Sequence, residues 1–341
     1  MLRRTMLGSL AASAAAAQAV LGRTARAQDA DWQKVVADAK KEAKLVIYTA
    51  GIGSPFHKVV DKSFEDKYGI KIEKLEARAS EVRERVRVEQ SAGRFLGDIH
   101  HNGSTTTWLM QRDGNFQPRG KIPNERNIVA PFEADDIKIP AEVISYCLMV
   151  NRNLVKPADE PKSWKDILDP KWSGKILSDD YRALGGGAVF FVVMHATFGK
   201  EFHDKLAAQK PVFSRDIANS ERRVARGEYP LYLPFSLQNT NNLKGLPIKP
   251  IVPVEGRPYV RFDLSVLKNA PHPNAARLFM NHYLEVDSQL VFANAGYAPV
   301  VKGVVEKTLP EIRALLATKA LGTTVPERQD AMLELAKQIY K

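Results

Sequence analysis

The chain has 341 residues, 44% apolar and 26% charged, with 21 Gly and 20 Pro, a globular composition that excludes a disordered tail, a collagen-like fibre and a disulfide-stapled miniprotein. Its single cysteine, Cys147, excludes an internal disulfide and a multi-cysteine metal site. The formal charge is +11, but without the four arginines of the first 27 residues 46 basic residues face 39 acidic ones, a mild excess that suits an anionic ligand better than a nucleic-acid track.

In chain order, Arg3, Arg4, Met6 and Leu7 precede an Ala-rich stretch from Leu10 to Leu21 and then Ala25-Arg26-Ala27. A positive start, a short apolar middle and small residues at the end predict a secretory signal peptide over 1–27, cleaved after Ala27. The paired arginines favour twin-arginine export over the general secretory route. The middle is too short for a membrane anchor, which needs roughly 20 apolar residues, and no later run is longer. The mature chain is therefore expected to be soluble and periplasmic, with no transmembrane segment and a harmless lone thiol.

Asp31 caps a helix expected from Trp32 to Ala43, and the apolar run Lys44–Thr49 predicts a buried strand. After the loop Ala50–Ser54, Pro55 opens a helix that closes at Gly69. Ile70–Leu75 is expected as a strand, Ser80–Gly93 as a charged helix, Asp98–His101 as a strand and Ser104–Arg112 as a helix. This β-α alternation predicts a parallel sheet covered by helices. The glutamates that alternate with arginine between Glu81 and Glu89 predict a solvated face.

Beyond a polar stretch, Gln117–Asp136, strands are expected at Ile144–Val150, Lys175–Ser178, Pro211–Phe213, Leu231–Leu233, Ile248–Pro253 and Val260–Leu267. A short helix is expected at Ser163–Leu168, with Trp164 and Trp172 packing the scaffold. Gly185-Gly186-Gly187 leads into an apolar helix, Ala188–Phe198. Helices follow at Ala275–Tyr283 and Ser288–Asn294, then two more at the C-terminus. No Gly-x-Ser-x-Gly elbow, no His-Glu-x-x-His and no dinucleotide fingerprint is present, and no Gly-Lys-Ser/Thr follows the glycines.

Several segments resemble the iron(III)-type extracellular solute-binding proteins (family 1) of ABC importers: Asn151–Pro157, Pro161–Ile176, Ala225–Glu228, Val266–Phe279 and Gln289–Pro299. The resemblance spans the mature chain and implies an α/β fold of type II, a two-lobed flytrap with hinge strands between the lobes. It places lobe one at 28–140 plus 266–299 and lobe two at 141–262 plus 303–341, with crossovers near 138–145 and 258–266. It also implies closure on a solute and delivery to ABC permease subunits, with no catalysis; no cofactor, no metal and a monomeric chain are expected.

The glycine run is the most informative local feature. Unpaired amides and the positive helix end at Gly185, Gly186 and Gly187 suit an anion, as in the family's corresponding segment. A flexible loop before a core helix is the plain alternative. Ser178, Tyr181 and Arg182 stand just before it; Tyr181 and Arg182 are candidates for a phenol and a bidentate cation. Thr49, Gly51 and Ser54 follow the first strand where the cleft is expected. In ferric members a histidine near this loop binds iron, but His57 falls several positions late and is expected on the helix surface. His100 and His101 alternate across a strand and are unlikely to share an ion. One of them, taken here as His101, is expected to face the cleft with Asn102 and Ser104, and Ser104 alternatively caps its helix.

Ferric members also carry adjacent tyrosines where this chain has Leu237 and Gln238, and their acidic ligand is replaced by Asn102 and Gly103. Without phenolates a bare trivalent cation is poorly neutralised. Ser236, Gln238, Asn239, Tyr259 and Arg261 are therefore candidates for an oxyanionic or organic solute, although Arg261 has Asp263 as an alternative partner. The expected function is capture of a phosphorylated sugar, phosphonate, carboxylate or oxyanion. The alternatives are a ferric-ion or ferric-chelate carrier and an exported enzyme using a cleft histidine as base.

Overall fold

A computed structural model of the protein describes residues 30–341, so the expected signal peptide and its cleavage point lie outside the described residues. Helix α1 (residues 30–42) leads into β1 (Lys44–Thr49), α2 (Pro55–Tyr68), β2 (Lys71–Glu76), α3 (Ala79–Ser91), β3 (Ile99–Gly103) and α4 (Ser104–Arg112). Strand β4 (Lys138–Asn151) precedes β5 (Ile176–Asp179), α5 (Gly186–Phe198), α6 (Lys200–Ala208), β6 (Val212–Ser214), α7 (Ile217–Ala225), β7 (Leu231–Ser236) and β8 (Ile248–Ile251). Strand β9 (Arg257–Val266) returns, followed by α8 (Pro273–Tyr283), α9 (Val286–Asn294), α10 (Pro310–Leu316), β10 (Ala320–Gly322) and α11 (Gln329–Ile339).

The local reasons match the sequence patterns. Ser54 Oγ accepts from His57 N–H and Pro55 sits in the first turn of α2, relieving orphan amides at the helix start. Strand β1 buries Leu45, Ile47 and Tyr48. Helix α5 buries nine successive residues from Gly186 to Met194, so it runs through the core and not along the surface.

The strand order is β2-β1-β3-β9-β4-β7-β5-β6, with β10 on β9 and β8 on β4. The flanks are parallel, as expected: β1 with β2 and β3, and β5 with β6 and β7. The middle is antiparallel, which corrects the all-parallel expectation: β9 lies against β3 and β4, and β4 against β7 and β8. A chain that crosses to a second half and comes back must run its two connecting strands in opposite directions. Strand β4 is 14 residues long; its Lys138–Ser145 part pairs with β9 and its Tyr146–Val150 part with β7. The expected Ile144–Val150 strand is only the far end of this crossover. The result is the two-lobed α/β fold, each half of the sheet flanked by its own helices. Among the described residues no helix is long and apolar enough to cross a membrane.

Candidate functional site

A cleft of about 790 Å³ lies where the carboxyl ends of strands from both halves converge, the position at which open α/β sheets take ligands. One half contributes the loop after β1 (Gly51, Ile52, Ser54), His57 and Phe56 of α2, Arg78 before α3, and Asn102 and Gly103 at the end of β3. The other contributes Gly185 and Gly186 before and at the start of α5, Arg215 and Asp216 before α7, Glu221 and Arg222 on it, and Ser236, Gln238 and Asn239 after β7. Of the residues singled out in the sequence, Gly51, Ser54, Asn102, Gly185, Gly186, Ser236, Gln238 and Asn239 thus line the cleft.

The rest do not, and each has a physical reason. Thr49 and His101 are buried beneath the cleft floor, joined Oγ1 to Nδ1 at 2.9 Å. Tyr181 is wholly buried among Phe190, Phe213 and Tyr340 and its hydroxyl meets Ser178 Oγ at 2.7 Å. Arg182 pairs with Asp180 at 2.8 Å, donates to the Tyr340 carbonyl and lies over the Phe213 ring. Arg261 is tied to Asp263, the alternative the sequence already offered. Tyr259 packs against the main core, and Ser104 begins α4 outside the lining while Thr105 and Thr106 enter it.

The glycine run is likewise only partly open. Gly187 N–H donates to Asp179 Oδ2 at 2.8 Å, and Asp179 Oδ1 lies 3.4 Å from Arg78 Nη2. A carboxylate of the chain itself therefore occupies one place at the positive end of α5. Burial pushes the Asp179 carboxyl up, against the pull of Arg78 and the Gly187 amide. The amides of Gly185 and Gly186 donate to no group among the described residues.

Four functional groups of this cleft escaped the sequence reading: Arg78, Arg215, Arg222 and Glu221. Arg78 falls between the strand expected at Ile70–Leu75 and the helix expected from Ser80, and the other three fall on or next to α7, whose sequence carries a weak helical pattern. Buried polar atoms of the lining also lack partners, among them Asn102 Nδ2, Gln238 Oε1, Arg78 Nε, His57 Nδ1 and both side-chain amide atoms of Gln329. Ile52, Phe56, Ile144, Leu184, Val189, Val260 and Phe262 supply an apolar part of the lining.

Under the floor lies the one cluster, among the described residues, whose His and carboxylate atoms are close enough to share a metal ion. His57, His101 and Glu142 bring their ligand atoms within 4.8 Å of one another. The geometry also closes on itself. Glu142 receives His57 Nε2 and His101 Nε2, each at 3.1 Å, and the Tyr283 hydroxyl at 2.7 Å. Gly51 N–H occupies Thr49 Oγ1 as acceptor, which leaves the hydroxyl proton for His101 Nδ1 and the Nε2 proton for Glu142. Burial pushes the Glu142 carboxyl up, but His101 and His57 outweigh it and hold it below the usual carboxylate range. His57, expected on the helix surface, is thus 4% exposed and reaches the cleft by one edge only.

His100 is fully buried against Phe116, and burial depresses its pKa to about 3. Neither His100 nor His101 faces the cleft, contrary to expectation. Strand β3 is covered on both faces, so alternation merely sends the two rings into two different interiors.

Residues 113–319 match the family described as bacterial extracellular solute-binding protein. Iron uptake protein A2 of Synechocystis sp. is 25% identical over 295 residues, covering 79% of this chain and 83% of its own length. Iron-bound HitA from Pseudomonas aeruginosa superposes with a TM-score of 0.71 at 18% identity, over 87% of this chain and 99% of that one. The structure described as the Atu4243–GABA receptor superposes at 0.69 with 16% identity, over 87% and 98%. These two likenesses show the fold. With more than half of its length matched by one family and its hinged α/β frame shared by these structures, the chain belongs to the bacterial extracellular solute-binding proteins, the periplasmic receptors of ABC importers.

Proposed function

We propose that this receptor captures a small anionic solute, of the phosphorylated-sugar, phosphonate, carboxylate or oxyanion class, and releases it unchanged to its permease. The observation that carries the reading is the donor set of the cleft: Arg78, Arg215 and Arg222, the free amides of Gly185 and Gly186, and the unpartnered Asn102 Nδ2. Charge-assisted hydrogen bonds of this kind recognise oxyanions. The apolar lining and the cleft volume suit an organic body, since a site of some 300–1,000 Å³ accommodates a small molecule. The lobes are 28–140 plus 266–299 and 141–262 plus 303–341, the chain acts as a monomer, and export uses the twin-arginine route.

A second reading is favoured by the relatives, which are an iron uptake protein and an iron-bound binding protein. Leu237 and Gln238 stand where the resemblance places the ferric tyrosine pair, and Tyr146 and Tyr297 are the phenols that line this cleft. Burial pushes both phenols well above their ordinary range, which opposes phenolate formation. Iron held as an anionic chelate suits these donors better than the bare ion. That a protein of the same fold is described with GABA supports reading the cargo from the cleft and not from the frame.

A thermal-shift screen decides between them. The right anion at 100 times its Kd is expected to add about 2.7 kcal/mol of stability. Stabilisation and colour with Fe(III) alone, with no response to phosphate, phosphate esters or carboxylates, would overturn the anion reading.

A further inference from the structure

Glu221 is the residue of the cleft that an anion does not explain. It lies on α7, is 4% exposed and lines the cleft. Its Oε1 accepts from Asn239 Nδ2 at 2.7 Å, and among the described residues Oε2 has no hydrogen bond and no cation in contact. Gln238 Oε1, adjacent in sequence to that asparagine, is also buried in the lining without a donor. The cleft thus holds unpaired acceptors, these two neighbours and Gln329 Oε1, besides the donors around Arg78 and the start of α5. A desolvated carboxylate with a single amide partner is unstable as an anion unless a cation reaches it.

We infer that the cargo is zwitterionic: its anionic group is held by Arg78 and the Gly185–Gly186 amides, and an ammonium group is received by Glu221 Oε2 and Gln238 Oε1. The inference rests on the anionic reading above and narrows its substrate class to amino-bearing acids or phosphate esters.

The electrostatic surroundings agree. Burial holds the Glu221 carboxyl up at about 7, against the hydrogen bond from Asn239 and the charge of Arg222. Glu221 acts on the buried Tyr232 of β7, which also feels Asp179 of β5, Tyr146 of β4 and Arg78 before α3. Arg215 and Asp216 stand before α7. Asp179 is already held by Gly187 and Arg78, and the Asp216 carboxylate caps α7 through Asn219 N–H. Arg222 is exposed and, among the described residues, forms no ion pair, acting on Glu221 only through its charge. An arriving ammonium therefore displaces a proton from Glu221 without competing with an internal cation.

Calorimetric titration of matched pairs tests this: ethyl phosphate against aminoethyl phosphate, and propionate against β-alanine. In at least one pair the amino member is expected to bind about ten- to a hundredfold tighter than its plain counterpart. That advantage should grow as pH rises through about 7, because only the ionised carboxylate attracts an ammonium whose own pKa lies near 10. Glu221→Gln keeps an oxygen for Asn239 and should erase the advantage, so that amino and plain members bind alike at every pH. Equal binding of amino and plain members by the native chain, at every pH, overturns the inference and leaves the anion reading standing. No binding of any member, with Fe(III) alone bound, overturns both. The pH profile of the native chain is informative even if the variant folds poorly.

Discussion

Asp179 ends β5 with its carboxylate against the first turn of α5, and Glu221 stands on α7 with one oxygen unbonded. The two acids differ in what neutralises them. Asp179 has an amide and a guanidinium, whereas Glu221 has only Asn239. The consequence for stability has a definite sign. In the unfolded chain Glu221 titrates near 4.5 and in the folded chain at about 7, so between these values the folded state holds a proton that the unfolded state has lost. The stabilisation is fully present below about pH 4.5 and disappears as pH rises through about 7. In the absence of ligand, Glu221→Gln should therefore gain on the native chain, by on the order of 3 kcal/mol, when unfolding is compared at about pH 8 and about pH 5. A difference between the two proteins that does not change with pH would refute the assignment.

At the level of elements, α5 and α7 show the two ways in which the sequence informs. Helix α5 was legible because Ala188–Met194 is an unbroken apolar run after three glycines. Its glycines, however, have a second purpose. A Cβ at Gly187 would collide with the backbone carbonyl of Asp180, so that position is set by the close packing of the β5–α5 turn. Gly187→Ala should destabilise the fold by about 1–3 kcal/mol, read as a lower denaturant midpoint at unchanged slope. A neutral substitution would return the glycine to a ligand role. Helix α7 was not legible: in its nine residues only Ile217, Val224 and the alanines are apolar, too few to set a helical period. Asp216 nevertheless caps it, accepting from Asn219 N–H at 2.9 Å, and an Asp before a short polar run was the one signal available.

For the molecule as a whole, β4 and β9 connect the halves, and Arg78 ties them across the cleft. Its guanidinium reaches from the β2–α3 turn of one half to Asp179 and the Arg215 carbonyl of the other. Hinge closure requires that contacts across a cleft favour one state over the other, and this contact would be broken if the halves moved apart. Arg78→Ala should weaken anion binding by about 1.5–3 kcal/mol. It should also raise the radius of gyration of the ligand-free chain in solution scattering. An unchanged radius with weakened binding would confine Arg78 to the ligand.

By itself the sequence determined the frame, because strands such as Lys44–Thr49, the Pro55 helix start and the apolar run of α5 are encoded by neighbours a few residues apart. Only the tertiary structure decided which polar side chains meet the cleft. That outcome depends on which distant partner reaches each group first: Glu142 is 41 residues from His101 and 141 from Tyr283, and Arg78 is 101 from Asp179. A buried polar group must find a partner or remain in contact with solvent or ligand. Tyr181 and His101 found partners inside the protein, whereas among the described residues Asn102 Nδ2 and Gln238 Oε1, both at the cleft, did not.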